Sequence, residues 1–194
     1  MHSPTGAGKS SFDLIDPQRL LRTLQLDPDM TVLDLGCGAG SYTTAIAQNK
    51  SAPGRIIAID LWQEGIASLR EAAASIENVT IETHVSDIRR PLPIADASVD
   101  LCLMATVLHD LVHDNSEDIT FLKEIGRVLK PNGILAIAEF KKQDGPPGPP
   151  KAIRMRLEEV SALLLRAGFI RFSEVVELGA QIYFAQFKKF GRLH

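Results

Sequence analysis

Three glycines and two acids carry the plainest chemistry in this sequence. Gly36, Gly38 and Gly40 lie in "VLDLGCGAG", where a short apolar run gives way to a helical one. Glycine lets a backbone turn sharply and approach a ligand closely, and the start of a helix presents free N–H groups. The spacing is GxGxG. The dinucleotide pattern GxGxxG needs its last glycine at position 41, where Ser41 stands. Asp34 stands just ahead of the loop, and Asp60 closes the next apolar run. An acid at the tip of a second strand is placed to accept hydrogen bonds from ribose hydroxyls. A carboxylate beside the glycine loop repels pyrophosphate and suits a cationic ligand bearing an amine.

Two other stretches imitate known chemistry. "SPTGAGKS" ends like a phosphate-binding P-loop, with Gly8, Lys9 and Ser10 in place. Ser3 stands where the opening glycine should be, and with only two residues ahead of it no strand is expected to lead into the loop as that motif requires. "HDLVHD" imitates the zinc motif H-E-x-x-H, with Asp110 replacing Glu and His109 and His113 on one helical face. No third ligand follows, and no metal is expected. His109 and Asp110 follow the fourth strand and Glu139 ends the fifth, so these three are candidates for acid–base work or for orienting a substrate. No one residue is assigned as the catalytic base. Cys37 and Cys102 read as packing residues, and a disulfide framework is not implied.

The elements that must position these residues alternate. A helix capped by Asp16, with Pro17 in its first turn, precedes "TVLDLG"; strands "RIIAID", "VTIETH", "VDLCLMA" and "ILAIAEF" follow, with helices read over Ser41–Asn49, Trp62–Ala74 and Glu117–Leu129. Such alternation predicts an α/β fold, Rossmann-like, with a mostly parallel sheet of seven strands and helices on both faces. "FIRFSEVVEL" and "QIYFAQFKK" read as a C-terminal antiparallel hairpin. Lys130-Pro131-Asn132-Gly133 reads as a helix stop and turn, and "QDGPPGPP" as a stiff surface loop. With 194 residues, 45% of them hydrophobic, the chain fits a single domain spanning 1–194. A net charge of −3 argues against a dedicated nucleic-acid binder. No signal-peptide stretch or membrane span is read, so a cytoplasmic location is expected.

Among cationic ligands, S-adenosylmethionine has both an ammonium and a sulfonium. The sequence resembles the class I S-adenosylmethionine-dependent methyltransferases of small bacterial and archaeal type. "VLDLGCGAG" is similar to that family's first motif and "IIAIDLW" to its second. "SDIRRPLPIADASVDLCLMATVLHDL" is similar to the region through its fourth strand, and "FLKEIGRVLKPNGILAIAEF" to its helix-and-strand segment. The resemblance implies that Asp34, Gly36, Cys37, Gly38 and Gly40 surround the methionine part of the cofactor. Asp60 would bind the ribose and Leu61 the adenine, with Ser86, Asp87 and Ile88 on the adenine side. Met104, Ala105 and Thr106 would pass near the methyl group. In such relatives a segment ahead of the first helix folds over the cofactor, which implies a lid over residues 1–15 with Phe12 as a contact. A loop over 141–154 would lie on the substrate side, with Arg154 facing an anionic group of the substrate, and His109 and Glu139 nearby.

The expected activity is methyl transfer to a small-molecule acceptor by direct displacement, in a monomer or homodimer without nucleic acid. "MATVLHD" lacks the Asn-Pro-Pro-Tyr and Pro-Cys motifs of base methylases. Two alternatives stay open: a non-catalytic S-adenosylmethionine-binding regulatory module, and an NAD-dependent oxidoreductase. GxGxG and the terminal hairpin weigh against the second.

Overall fold

Apolar strands bounded by turn residues assemble into one sheet. The structure, a computed structural model, describes residues 7–112 and 119–190. β1 (Thr31–Leu35), β2 (Arg55–Asp60), β4 (Val99–Ala105) and β5 (Leu129–Phe140) are almost wholly buried in their apolar parts, and β3 (Thr80–Val85) is half exposed at one edge. They pair in parallel in the order β3-β2-β1-β4-β5, so all five carboxyl ends lie along one side. The chain moves outward from β1 to β3, then returns to place β4 on the other flank of β1. Loops leaving β1 and β4 therefore part company, and the crevice between them is where such sheets bind ligands.

The expected final hairpin is more divided than the sequence suggests. The segment read as one strand is two, β6 (Phe169–Arg171) and β7 (Val176–Glu177), and both run antiparallel to β8 (Ile182–Lys189). Among the described residues the sheet thus counts eight strands rather than seven. The break is a local exchange of partners: Ser173 Oγ accepts the Gln186 N–H at 2.9 Å where a strand carbonyl would otherwise do so. β8 then closes the sheet antiparallel to β5.

Helices cover both faces. α1 (Pro17–Leu24) starts where expected, with Asp16 accepting the Arg19 N–H at 3.0 Å and Pro17 in the first turn. α1 and α2 (Ser41–Ala47) bury Leu20, Leu24 and Ile46 against Val32, Leu101, Leu103 and Phe184. On the opposite face α5 (Thr120–Val128) and α6 (Leu157–Arg166) bury Leu122, Ile125, Val160 and Leu164 against Leu33, Cys102, Met104 and Phe187. Alternate residues of each strand feed alternate layers, as the two-residue period requires. α3 (Gln63–Ala73) packs Ile66 and Leu69 on Ala58 and Cys37. The Lys130–Gly133 turn is looped out of the β4–β5 ladder: Val99 pairs with Leu129, but Leu101 pairs with Ile134.

Candidate functional site

The glycine loop is bound edge-on to the end of β2. Gly36 and Cys37 donate their N–H groups to the Ile59 carbonyl at 2.8 and 3.1 Å. Asp60 completes the attachment, accepting the Gly38 N–H at 2.8 Å through Oδ2 and the Trp62 N–H at 2.7 Å through Oδ1. Each carboxylate oxygen keeps a second lone pair.

The three glycines serve different ends. All have positive φ, +83° at Gly36, +56° at Gly38 and +86° at Gly40. A Cβ on Gly36 would lie 2.8 Å from the Val107 side chain, and one on Gly40 would lie 2.3 Å from Leu69. Those two are glycines because neighbouring elements pack there. A Cβ on Gly38 would meet nothing within 4 Å. Its free face, beside Asp60 and the half-exposed Leu61, is the place where a ligand can lie on this backbone.

Asp34 is 1% exposed, and the Thr43 hydroxyl donates to its Oδ2 at 2.5 Å. Burial pushes its pKa up to about 6; the Thr43 hydrogen bond works against this and the Asp60 charge adds to it. At neutral pH the group is an anion set just under the loop, with almost no surface of its own for a ligand to touch.

Beyond the loop a chain of hydroxyls crosses to β4. The Ser11 hydroxyl is buried and shares hydrogen bonds with Tyr42 OH and Thr106 Oγ1, both at 2.8 Å. Phe12 stands edge-on to the Tyr42 ring, with centroids 5.1 Å apart. Thr106 has a φ of +54°, which a β-branched residue rarely adopts. Its N–H to the Ala138 carbonyl (2.8 Å) and its hydroxyl to Ser11 hold it there.

At the ends of β4 and β5, α4 (Leu108–Val112) brings His109 onto Glu139, and both are buried. Glu139 is therefore not the solvated strand end that its position in sequence allows. Asp110 lies outward of His109, with Oδ1 3.6 Å from Nε2. His113, the second half of the zinc-like pair, lies outside the described residues. Residues Met1 to Gly6 of the P-loop-like stretch and of the expected lid do so too.

Several expected site residues are placed elsewhere. Met104 lies in the core under α5 and α6, with no exposed surface. The side chain of Ile88 joins the same core, and that of Cys37 packs under α3. None of these three side chains faces the crevice; strand alternation and the turn of the loop point them inward. Arg154 is the clearest correction. It is 1% exposed, and all its donors are taken by carbonyls of its own loop. Nε meets Pro149; Nη1 meets Gln143 and, at 3.4 Å, Lys141; Nη2 meets Gly145 and Pro147. It holds the loop together and has no N–H left for a substrate anion. Asp87 caps its own turn by accepting the Arg89 N–H at 2.9 Å, while Ser86 donates its N–H to the Asp60 carbonyl at 3.0 Å. Ala105, Ser86, Asp87 and Leu61 remain at the strand ends.

Sequence reasoning missed Ser11, Thr43 and Trp62 as parts of the site. A Cβ on Gly8 would lie 3.7 Å from the Trp62 ring, so the backbone at Gly8 runs past this indole. Only Trp62 carried a signal, an aromatic directly following the strand-end acid in "IDLW".

Residues 33–137 match a family described as a methyltransferase domain. A solved S-adenosylmethionine-dependent methyltransferase from Aquifex aeolicus shares 31% identity and a TM-score of 0.78, covering 94% of both chains. Among curated proteins, a methyltransferase-like protein of Schizosaccharomyces pombe is 33% identical, over 73% of this chain and 47% of its own length. A trans-aconitate 2-methyltransferase of Azoarcus is 33% identical, over 66% of this chain and 46% of its own. The chain thus spans about half the length of these curated relatives.

Proposed function

On the premise that the chain belongs to the methyltransferase domain family, we propose that it transfers a methyl group from S-adenosylmethionine to a small-molecule acceptor. The observation that carries this reading is the open face of Gly38 beside the Asp60 carboxylate, with the buried Asp34 anion beneath. A ligand with vicinal hydroxyls and an ammonium fits that set; a pyrophosphate would meet two like charges.

Each residue has a task. Asp60 uses its remaining lone pairs on the ribose hydroxyls while keeping the loop in place. Leu61 offers half its surface to the adenine, and Ser86 and Asp87 border the same side. Asp34 favours the ammonium through its charge. When bound, the cofactor supplies a methyl carbon made electrophilic by its sulfonium. Ala105 and Thr106 border the space where that carbon meets the acceptor. The protein contributes mainly by positioning and by excluding water.

The residues ahead of Ser11 are read as a lid that closes past Trp62, with Ser11 and Phe12 as its fixed end. The 141–154 loop, held by Arg154 over the Phe140 ring at 5.4 Å, is read as the wall on the acceptor side. The whole chain, 1–194, is read as one domain. A small acceptor is supported by the likeness to an enzyme named for trans-aconitate and by the acidic strand ends, which suit nucleic acid poorly. No helix among the described residues is long and apolar enough to cross a membrane. A cytoplasmic location is part of the proposal.

Calorimetry with S-adenosylhomocysteine, NAD and ATP tests the reading. Binding of the first alone is expected. Tight ATP binding lost on Lys9→Ala would overturn it and restore the P-loop. Labelled S-adenosylmethionine incubated with a metabolite extract then separates an enzyme, which labels a product, from a binding module, which labels none.

A further inference from the structure

Holding the cofactor does not involve the pair at the ends of β4 and β5. Glu139 has no exposed surface, and its carboxylate accepts N–H groups from three directions. These are the His109 backbone at 3.2 Å, the Phe140 backbone at 3.1 Å, and His109 Nδ1, which lies 3.0 and 2.9 Å from the two oxygens. A carboxylate in that position holds the proton on Nδ1 and leaves the lone pair of the neutral ring on Nε2, on the side of the partly exposed Asp110, whose Oδ1 lies 3.6 Å away. An acid behind an imidazole orients the ring and stabilises the imidazolium when it forms. The pair adjoins the crevice: Thr106, three residues before His109, is tied to Ala138, next to Glu139.

We propose that His109 is the general base of the transfer, accepting a proton on Nε2 with Glu139 as its positioning residue, and that the acceptor is a hydroxyl compound of phenol or enol type. This rests on the methyl-transfer reading above. The class follows from what needs a base. A carboxylic acid is already ionised at neutral pH and needs no base, and an aliphatic amine enters as an ammonium, which the Glu139 and Asp110 charges hold protonated and without a free pair. A phenol or enol keeps its proton at neutral pH and becomes a strong nucleophile only by losing it. The step balances. The acceptor's proton moves to Nε2, and the freed oxygen pair forms the bond to the methyl carbon. The C–S bond breaks with its pair remaining on sulfur, whose positive charge it cancels.

The groups facing the ring are Glu139 from β5, Asp110 from its own helix and Arg154 from the loop after β5; the Phe140 ring stands edge-on at 6.1 Å. Burial works against a charged ring, and Arg154 does so more weakly. The hydrogen bond and charge of Glu139, with Asp110, outweigh them and hold the His109 pKa above the ordinary histidine value.

The test starts on the wild-type protein. Multiple-bond nitrogen NMR of histidine-labelled protein from pH 5 to 9, assigned with His109→Gln, is expected to show Nδ1 protonated throughout and Nε2 titrating. A neutral ring protonated at Nε2 overturns the proposal. This arm decides it whether or not a probe acceptor is turned over. With S-adenosylmethionine and a panel of catechol, 2-naphthol, acetylacetone, benzoate and benzylamine, S-adenosylhomocysteine formation is expected only with the first three. His109→Ala should lower that rate about 10²–10⁴-fold. Glu139→Gln should move the acid limb of the pH–rate profile down, and both variants should bind S-adenosylhomocysteine within twofold of wild type. Unchanged rates in His109→Ala, or turnover confined to benzoate or benzylamine, also overturns it. A wild-type protein that does not bind S-adenosylhomocysteine strikes the methyl-transfer reading instead.

Discussion

The Asp60 carboxylate takes the Gly38 N–H at 2.8 Å, so the tip of β2 braces the middle of the glycine loop and borders its open face at once. One residue is therefore both a support and a ligand contact. Asp60→Ala is expected to weaken S-adenosylhomocysteine by about 2–4 kcal/mol, through lost charged acceptors for two hydroxyls. It should also lower the unfolding free energy by about 1–2 kcal/mol, because two backbone N–H groups lose their partner. Calorimetry and urea unfolding measure the two losses separately. Unchanged affinity with a weakened fold would reduce Asp60 to a support.

Gly38 and Gly40 are expected to respond differently to one added methyl group. Gly40→Ala meets Leu69 and a strained backbone, and should cost about 2–5 kcal/mol of stability. Gly38→Ala meets open space and bears the backbone strain alone, about 1–2 kcal/mol, while losing most cofactor affinity. Equal effects on folding and binding at both positions would contradict the division of roles.

Asp34 sets a pH dependence. Its folded pKa of about 6 lies above its ordinary 3.8, so the folded protein binds the proton more tightly than the unfolded chain. The contribution is fully present below about pH 4 and is lost as pH rises through 6. At 1.36 kcal/mol per pKa unit this amounts to about 3 kcal/mol. Urea unfolding of wild type and Asp34→Asn at several pH values from 4 to 7 should show the difference between them changing across that window. Affinity for a cationic ligand should rise over the same window in wild type and stay flat in the variant.

Arg154→Ala should free the 141–150 loop. Its carbonyls lose their shared donor, at a cost of about 2–4 kcal/mol, and limited proteolysis should begin to cut between Gln143 and Pro150. Arg154→Lys should not rescue it, since three donors on a flexible stem cannot reproduce a five-donor planar fork. Cofactor affinity should stay within about threefold, because this loop lies beyond β5 and not over β1 or β2.

Removal of residues 2–10 should leave the unfolding midpoint nearly unchanged and weaken retention of S-adenosylmethionine. Extending the cut through Ser11 and Phe12 should lower the midpoint, because the hydroxyl chain to Tyr42 and Thr106 and the ring contact go with it. Slow hydrogen exchange over residues 7–10 in the protein without ligand would make this segment a fixed strap and not a lid.

What the sequence determined by itself is whatever local rules govern. Apolar runs, Asp16-Pro17 and the turn residues placed the strands and helices in order, because propensity, capping and periodicity act over a few neighbours. Right-handed crossovers then left few ways to stack the parallel strands, so the crevice, the glycine loop and the Asp60 tip were legible too. Only the tertiary structure decided which way individual side chains turned. Arg154 reads as a free cation until loop carbonyls close around it, and Met104 as a cofactor neighbour until strand alternation points it into the core. Gly36 and Gly40 read as ligand glycines until Val107 and Leu69 fill the space beside them. The break between β6 and β7 depends on a Ser173 hydroxyl meeting β8. Burial of Glu139 against His109 depends on α4 folding back onto β5. Such outcomes rest on contacts between residues distant in the chain, where packing density leaves one arrangement and no short window of sequence records it.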